Sequence, residues 1–126
     1  MRARHRLRSS QDFRRVPRQG VRSARSHVVV HLALLAEAPA VARVGFVVSG
    51  KVGNSVVRHR VTRRLRAIMD ERVTSLPTGA TCVVRALPGI QDVPFADLTE
   101  QVDAALAGAC RKLERRAASL STGTDR

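Results

Sequence analysis

Val57, Val61, Leu65, Ile68 and Leu76 recur at helical spacing, with β-branched runs on both sides of them, Val41 to Val48 before and Ala80 to Ala86 after. This strand–helix–strand order restricts the chain more than any other feature, because it commits the segment to a mixed α+β fold. The helix is predicted from about Asn54 to Leu76. At about 100° per residue, His59, Arg60, Arg63 and Arg66 fall on the side away from the apolar stripe. The helix is therefore amphipathic, with a cationic face.

The other segments fit a single domain over residues 1–126, large enough to bury a core without staples. Residues 1–8 read as a mobile basic arm. Ser9 and Asp12 make a capping box with Asp in place of Glu, opening a short helix whose apolar side is Phe13 and Val16. Gly20 suits its end, and Pro17 is expected to kink or shorten it. His27 to Leu35 reads as a strand. Val28, Val30, Leu32 and Leu34 are assigned to the face that meets the helices, and His27, Val29, His31 and Ala33 to an open face. Glu37-Ala-Pro-Ala connects this strand to the next, and Pro77-Thr-Gly is the turn before the strand at Ala80. A last helix begins near Pro94, with Phe95, Leu98, Val102, Leu106, Ala109 and Leu113 as its buried stripe. Residues 117–126 are expected to be a disordered tail.

Charge narrows the function. The net charge is +13, and Lys51 and Lys112 are the only lysines. A polyanion is the natural partner of such a chain. Arginine's planar fork suits phosphate oxygens and base faces. Lys51, Arg58, Arg60, Arg63, Arg64 and Arg66 fall within sixteen residues, and no acid occurs between Glu37 and Asp70. A merely solvated helix face usually intersperses glutamates that relieve the repulsion. Their absence favours nucleic-acid binding.

The stretch GFVVSGKV, Gly45 to Val52, fits most of the phosphate-loop pattern G-x-x-x-x-G-K-[ST]. A nucleotide hydrolase is not the reading. Gly45, Phe46, Val47 and Val48 belong to a strand rather than a loop, Val52 holds the hydroxyl position, and no acidic magnesium ligand is near. Gly50, Lys51 and Gly53 instead make a basic turn at a helix N-terminus, suited to a backbone phosphate. Cys82 and Cys110 lack metal or redox spacing and read as reduced, buried thiols of a cytosolic protein. No apolar run reaches the roughly 18 residues of a membrane span. The Arg-rich N-terminus has transit-peptide composition, but it leads directly into a capped helix, so a basic arm is preferred. No carboxylate pair, His–Asp constellation or nucleophile motif is present, so no catalytic or metal-ligating residue is assigned.

The stretch from Ser49 to Arg66, SGKVGNSVVRHRVTRRLR, resembles the signature of the bacterial ribonuclease P protein component, roughly S-x-K-x-G-x-A-V-x-R-N-R-x-K-R-x-x-R. The N-terminal RLRSSQDFRRV, the strand pattern and the helix opening near Pro94-Phe95 agree with it, and the likeness covers roughly residues 4–115. His59 replaces the usual Asn, Thr62 a usual Lys, and Pro17 a frequent aromatic. The resemblance implies a small α/β sandwich: a mixed sheet, three main helices and a left-handed βαβ crossover. The handedness rule alone predicts a right-handed one.

The resemblance further implies a protein that binds a large catalytic RNA and helps it remove the 5′ leader of precursor tRNA in the cytoplasm. Hydrolysis then belongs to the RNA and its Mg2+, with no cofactor on the protein alone, no membrane and no protein partner. Lys51, Asn54, Arg58, His59, Arg60, Arg63 and Arg66 are the candidate RNA-binding residues, and Phe13, Val29 and His31 the candidate leader cleft. Two alternatives are a structural RNA-binding protein of ribosomal type and a protein nuclease acting alone.

Overall fold

The computed structural model describes residues 2–35 and 41–124. The connection expected at residues 37–40 and the last two residues of the expected tail lie outside them. The elements run in the order α1 (Ser10–Gln19), β1 (Val21–Ala24), β2 (Val28–Leu34), β3 (Arg43–Val47), α2 (Ser55–Asp70), β4 (Ala80–Ala86) and α3 (Phe95–Thr124). Short 3-10 turns stand at Ala3–His5, Val73–Ser75 and Ile90–Asp92.

The four strands form one sheet in the order β1-β2-β4-β3. β2 pairs antiparallel with both β1 and β4, Val30 lying opposite Ser23 and Val84. β3 pairs parallel with β4, Val44 opposite Cys82. A parallel pair cannot be closed by a hairpin, and α2 is the crossover that joins it.

Strand alternation sends side chains to two faces, and both are covered. On one face Val28, Val30, Leu32, Val44, Cys82 and Val84 meet Val61, Leu65, Ile68 and Met69 of α2 and Leu98, Val102, Leu106, Ala109 and Leu113 of α3. On the other, Ala33 and Val83 meet Val16 of α1 and Leu7 of the arm. Cys82 is fully enclosed, and burial, with Cys110 adding to it, pushes its thiol up to about 12. Both cysteines are free, with Cys110 only half-buried.

α1 begins as expected, with Ser9 Oγ accepting from the Asp12 N–H at 3.3 Å. Pro17 sits inside the helix without stopping it, and the Gly20 N–H still donates to Val16 O at 2.9 Å. Other expectations are corrected. Residues 1–8 are not a free arm over the described part: His5 and Leu7 are buried, and the Leu7 N–H donates to Val44 O at 3.0 Å. α2 stops at Asp70 rather than Leu76. Two acids, Asp70 and Glu71, sit at the carbonyl end, where the helix dipole disfavours them. Arg72 then turns back to Ile68 O and grips Asp103 of α3 with two donors. Leu34 and Phe95, expected in the core, are 52% and 48% exposed. α3 continues to Thr124, past the point where the tail was expected to begin.

Glycine at position 45 has a steric reason. A Cβ there would stand 2.3 Å from Cζ of Phe13 and 3.1 Å from Cβ of Leu7. The Phe13 ring lies directly on the backbone of β3. Gly45→Ala is expected to destabilise the fold by about 1–3 kcal/mol, the usual cost of overpacking. Urea unfolding measures the loss, and adding Phe13→Leu restores part of it because the two sites touch. Full stability in Gly45→Ala would refute this packing.

Candidate nucleic-acid interface

α2 is held to the sheet by its apolar stripe, and that fixes which arginines face outward. Arg58, His59, Arg60 and Arg63 are exposed, and Arg66 is half-buried. Asn54 caps the helix, its Oδ1 accepting from the Val57 N–H at 3.0 Å. This expected RNA ligand therefore spends its acceptor on the helix start. Arg58 also has a local task, since its Nε donates to Val48 O at 3.1 Å and ties α2 to the end of β3. Arg64 Nη1 donates to Val93 O at 3.4 Å. Arg60 and Arg63 are left presenting their guanidinium groups to solvent. With Ser55, Val56 and His59 they line a depression of about 420 Å³.

The turn before α2 is less open than its glycines suggested. Ser49 Oγ accepts from the Lys51 N–H at 3.3 Å, and Ser49 O accepts from the Val52 N–H at 3.1 Å. Lys51 stays exposed. The turn thus offers a charge more than a row of free amides. Gly50 has open space around it.

Phe13 is half-buried and lines a cavity of about 210 Å³ with Arg6, Gly45, Phe46, Thr62 and Arg66. The cavity lies where the arm, α1, the edge strand β3 and α2 converge. Arg66 Nε is buried there without a hydrogen-bond partner among the described residues. Phe13 and Arg66, assigned on sequence to separate surfaces, therefore share one wall. Arg60 and Arg63 do not line it.

Val29 and His31 do not form the open surface expected of them. They are 2% and 6% exposed. β2 is an inner strand, flanked by β1 and β4, and α1 packs on the face they occupy. What that face shows to solvent is arginine: Arg22 lies opposite His31, and Arg85 opposite Val29. Sequence reasoning missed both. The alternation of β4 carried a signal for Arg85, but nothing in Val-Arg-Ser-Ala marked β1 as a strand. Burial chiefly, with Arg85 and Arg22 adding to it, holds the His31 imidazole below its ordinary value. Its Nδ1 is buried without a hydrogen-bond partner among the described residues. Among those residues, no group of three or more His, Cys, Asp or Glu side chains is placed to hold a metal ion. No helix among them is long and apolar enough to cross a membrane.

The family model for ribonuclease P matches residues 1–110. The chain belongs to the ribonuclease P protein family. It is 47% identical over 109 residues to the ribonuclease P protein component of Streptomyces avermitilis, covering 81% of this chain and 89% of that one. It is 42% identical over 115 residues to that of a Mycobacterium species, covering 91% and 98%. Among solved structures, the ribonuclease P protein of Staphylococcus aureus superposes with a TM-score of 0.74 at 25% identity, over 83% of this chain and 94% of that one. That of Thermotoga maritima gives 0.69 at 25% identity, over 80% and 94%. The ribosomal-type alternative is not favoured by these likenesses. The mixed four-stranded sheet with three helices is thus the ribonuclease P protein fold.

The state of His31 has a thermodynamic signature. Its folded pKa lies below the unfolded value of 6.5, so the unfolded chain binds the proton first as pH falls. The His31 contribution to stability is present above pH 6.5 and is lost progressively below it, down through the folded pKa. His31→Leu removes the group and its unpartnered nitrogen. The difference between wild-type and variant unfolding free energies should be flat above pH 6.5 and should shift in favour of the variant below it. A difference independent of pH would refute a neutral, buried His31.

Proposed function

We propose that this chain binds the catalytic RNA of ribonuclease P through the outward face of α2 and holds the single-stranded 5′ leader of precursor tRNA beside Phe13. Support comes chiefly from one observation: Arg60 and Arg63 stand exposed on a helix whose acid-free stretch gives them no local counter-charge. A phosphodiester backbone neutralises such a face and releases counterions. Lys51, Arg58 and His59 flank it, and Asn54 acts as the cap that sets its start.

The leader site is the region around Phe13. An aromatic face stacks on any base, and neighbouring guanidinium groups hold the backbone, which suits a segment of variable sequence. Arg6 and Arg66 supply that charge in the cavity Phe13 lines. Val29 and His31 are buried in the sheet and do not line this cavity, so they take no direct part in leader contact. The chemistry of strand cleavage is assigned to the RNA and its Mg2+, and the protein's part is to bind and position the two RNAs. The reaction product is the mature tRNA 5′ end, and the expected compartment is the cytoplasm.

Reconstitution tests the assignment. Protein alone should leave precursor tRNA intact, and protein with the catalytic RNA should cleave it. In the holoenzyme, Phe13→Ala should weaken binding of leader-bearing tRNA, by up to about 1–3 kcal/mol per stacked base, while mature tRNA binds as before. Equal losses on both substrates would remove Phe13 from the leader site.

Arg60→Ala and Arg63→Ala should each weaken binding to the catalytic RNA and flatten the dependence of log K on log salt by roughly one unit or less. Unchanged affinity and slope in both variants would make this face a solvated surface.

A further inference from the structure

Away from α2, at the opposite edge of the sheet, a second group of cations has no part in the reading above. Arg22, Lys112, Arg115 and Arg116 line, with Gly20 and Val21, a depression of about 470 Å³ between β1 and the C-terminal part of α3. Among the described residues, no carboxylate lines it. β1 and β3 are the two outer strands. At about 4.8 Å per strand spacing, they are separated by roughly 14 Å of sheet.

Two of the four cations are fixed in place. Arg116 Nη1 donates to Gln19 O at 2.7 Å, and its Nη2 to Gly20 O at 3.5 Å. Lys112 Nζ donates to Arg22 O. These acceptors are backbone carbonyls, so they orient the side chains without cancelling their charge. Gly108 brings α3 close to β1, since a Cβ there would stand 2.5 Å from Ser23 Oγ. Arg22 and Arg115 are exposed, and their side chains make no hydrogen bond or ion pair among the described residues.

We propose that this β1–α3 surface is a second RNA-docking site, which binds a phosphodiester backbone segment distinct from the one on α2. The protein then bridges two parts of its RNA across the width of the sheet. Three of the four cations are arginines, whose forks fit phosphate oxygens. A protein partner would need an apolar centre to exclude water. Among the described residues, the exposed large apolar side chains are Leu34, Val56 and Phe95, and none of them lines this depression. The inference rests on the proposed binding of ribonuclease P RNA, and its test separates the two.

The test uses the full chain and the ribonuclease P RNA, with affinity measured across a salt series. Four proteins are compared: wild type, Arg22→Ala/Arg115→Ala, Arg60→Ala/Arg63→Ala, and the quadruple variant. Lys112 and Arg116 are left intact because they hold the α1–β1 connection. The Arg22/Arg115 pair should flatten the salt slope by about one to two units, and the quadruple variant should lose the sum of both pairs. Arg115→Glu alone, on an exposed helix position, should weaken binding further than Arg115→Ala and guards against a folding defect at Arg22.

If wild type binds and the α2 pair weakens binding while the Arg22/Arg115 pair and Arg115→Glu do not, the second site is overturned and the proposed function stands. If wild type does not bind the RNA, the proposed function itself fails. Phosphatidylserine vesicles provide the last arm. Vesicle binding lost in the Arg22/Arg115 pair, with RNA binding unchanged, assigns the surface to anionic lipid and overturns the proposal.

Discussion

Everything outside the sheet is positioned by the pairing of β4. Cys82, Val83 and Val84 are fully buried, with β2 hydrogen-bonded on one side and β3 on the other. Because β3 and β4 run parallel, the chain between them must travel the length of the sheet and return. α2 makes that journey, and Val61, Leu65, Ile68 and Met69 fix its rotation. Rotation decides which arginines meet solvent. A helix turned by one residue would bury a guanidinium, at several kcal/mol for an unpaired charge. The strand pairing therefore dictates where the positive charge is shown.

That charge is a burden on the free protein. A net charge of +13 on 126 residues sets like charges against one another in the folded state. Of the ten acids, Asp12 is engaged within the fold by neighbouring Arg15 and Asp103 by the distant Arg72. The core and the Arg72–Asp103 clasp between the end of α2 and α3 oppose the repulsion. A bound polyanion would relieve it, so the RNA binding proposed above would also stabilise the fold. A ligand at a hundred times its Kd stabilises the folded state by about 2.7 kcal/mol.

Periodic segments were legible in the sequence and context-dependent ones were not. The Ser9 cap, the bounds of β4 and most of the α3 stripe follow from local chemistry, and the structure keeps them. The face of α2 was legible because its apolar residues are regularly spaced, yet its end was not. Arg72 leaves the helical path for Asp103, a partner 31 residues away. β1 was invisible because four residues with one apolar side chain, Val21, and an alanine look like a loop until β2 pairs with them. Missing β1 led directly to the misreading of Val29 and His31. A strand taken to have one open face has both covered when it gains a neighbour on each side and a helix above. The site followed the same pattern. The outward arginines could be read from spacing, whereas the shared wall of Phe13 and Arg66 depends on long-range packing.

The two outer strands carry a further consequence. Val-Val-Val-His-Leu-Ala-Leu in β2 is the kind of uncharged, strand-forming sequence that stacks into fibrils when it is presented to other chains. A sheet built around it is safe only if its rims refuse new strands. At one rim, Leu7 takes Val44 O and Arg58 takes Val48 O. At the other, Lys112 takes Arg22 O and Arg116 takes the carbonyls of Gln19 and Gly20. Three of these four plugs carry positive charge, so an approaching copy meets occupied acceptors and electrostatic repulsion together. The same basic side chains thus also oppose the addition of a second copy at these rims.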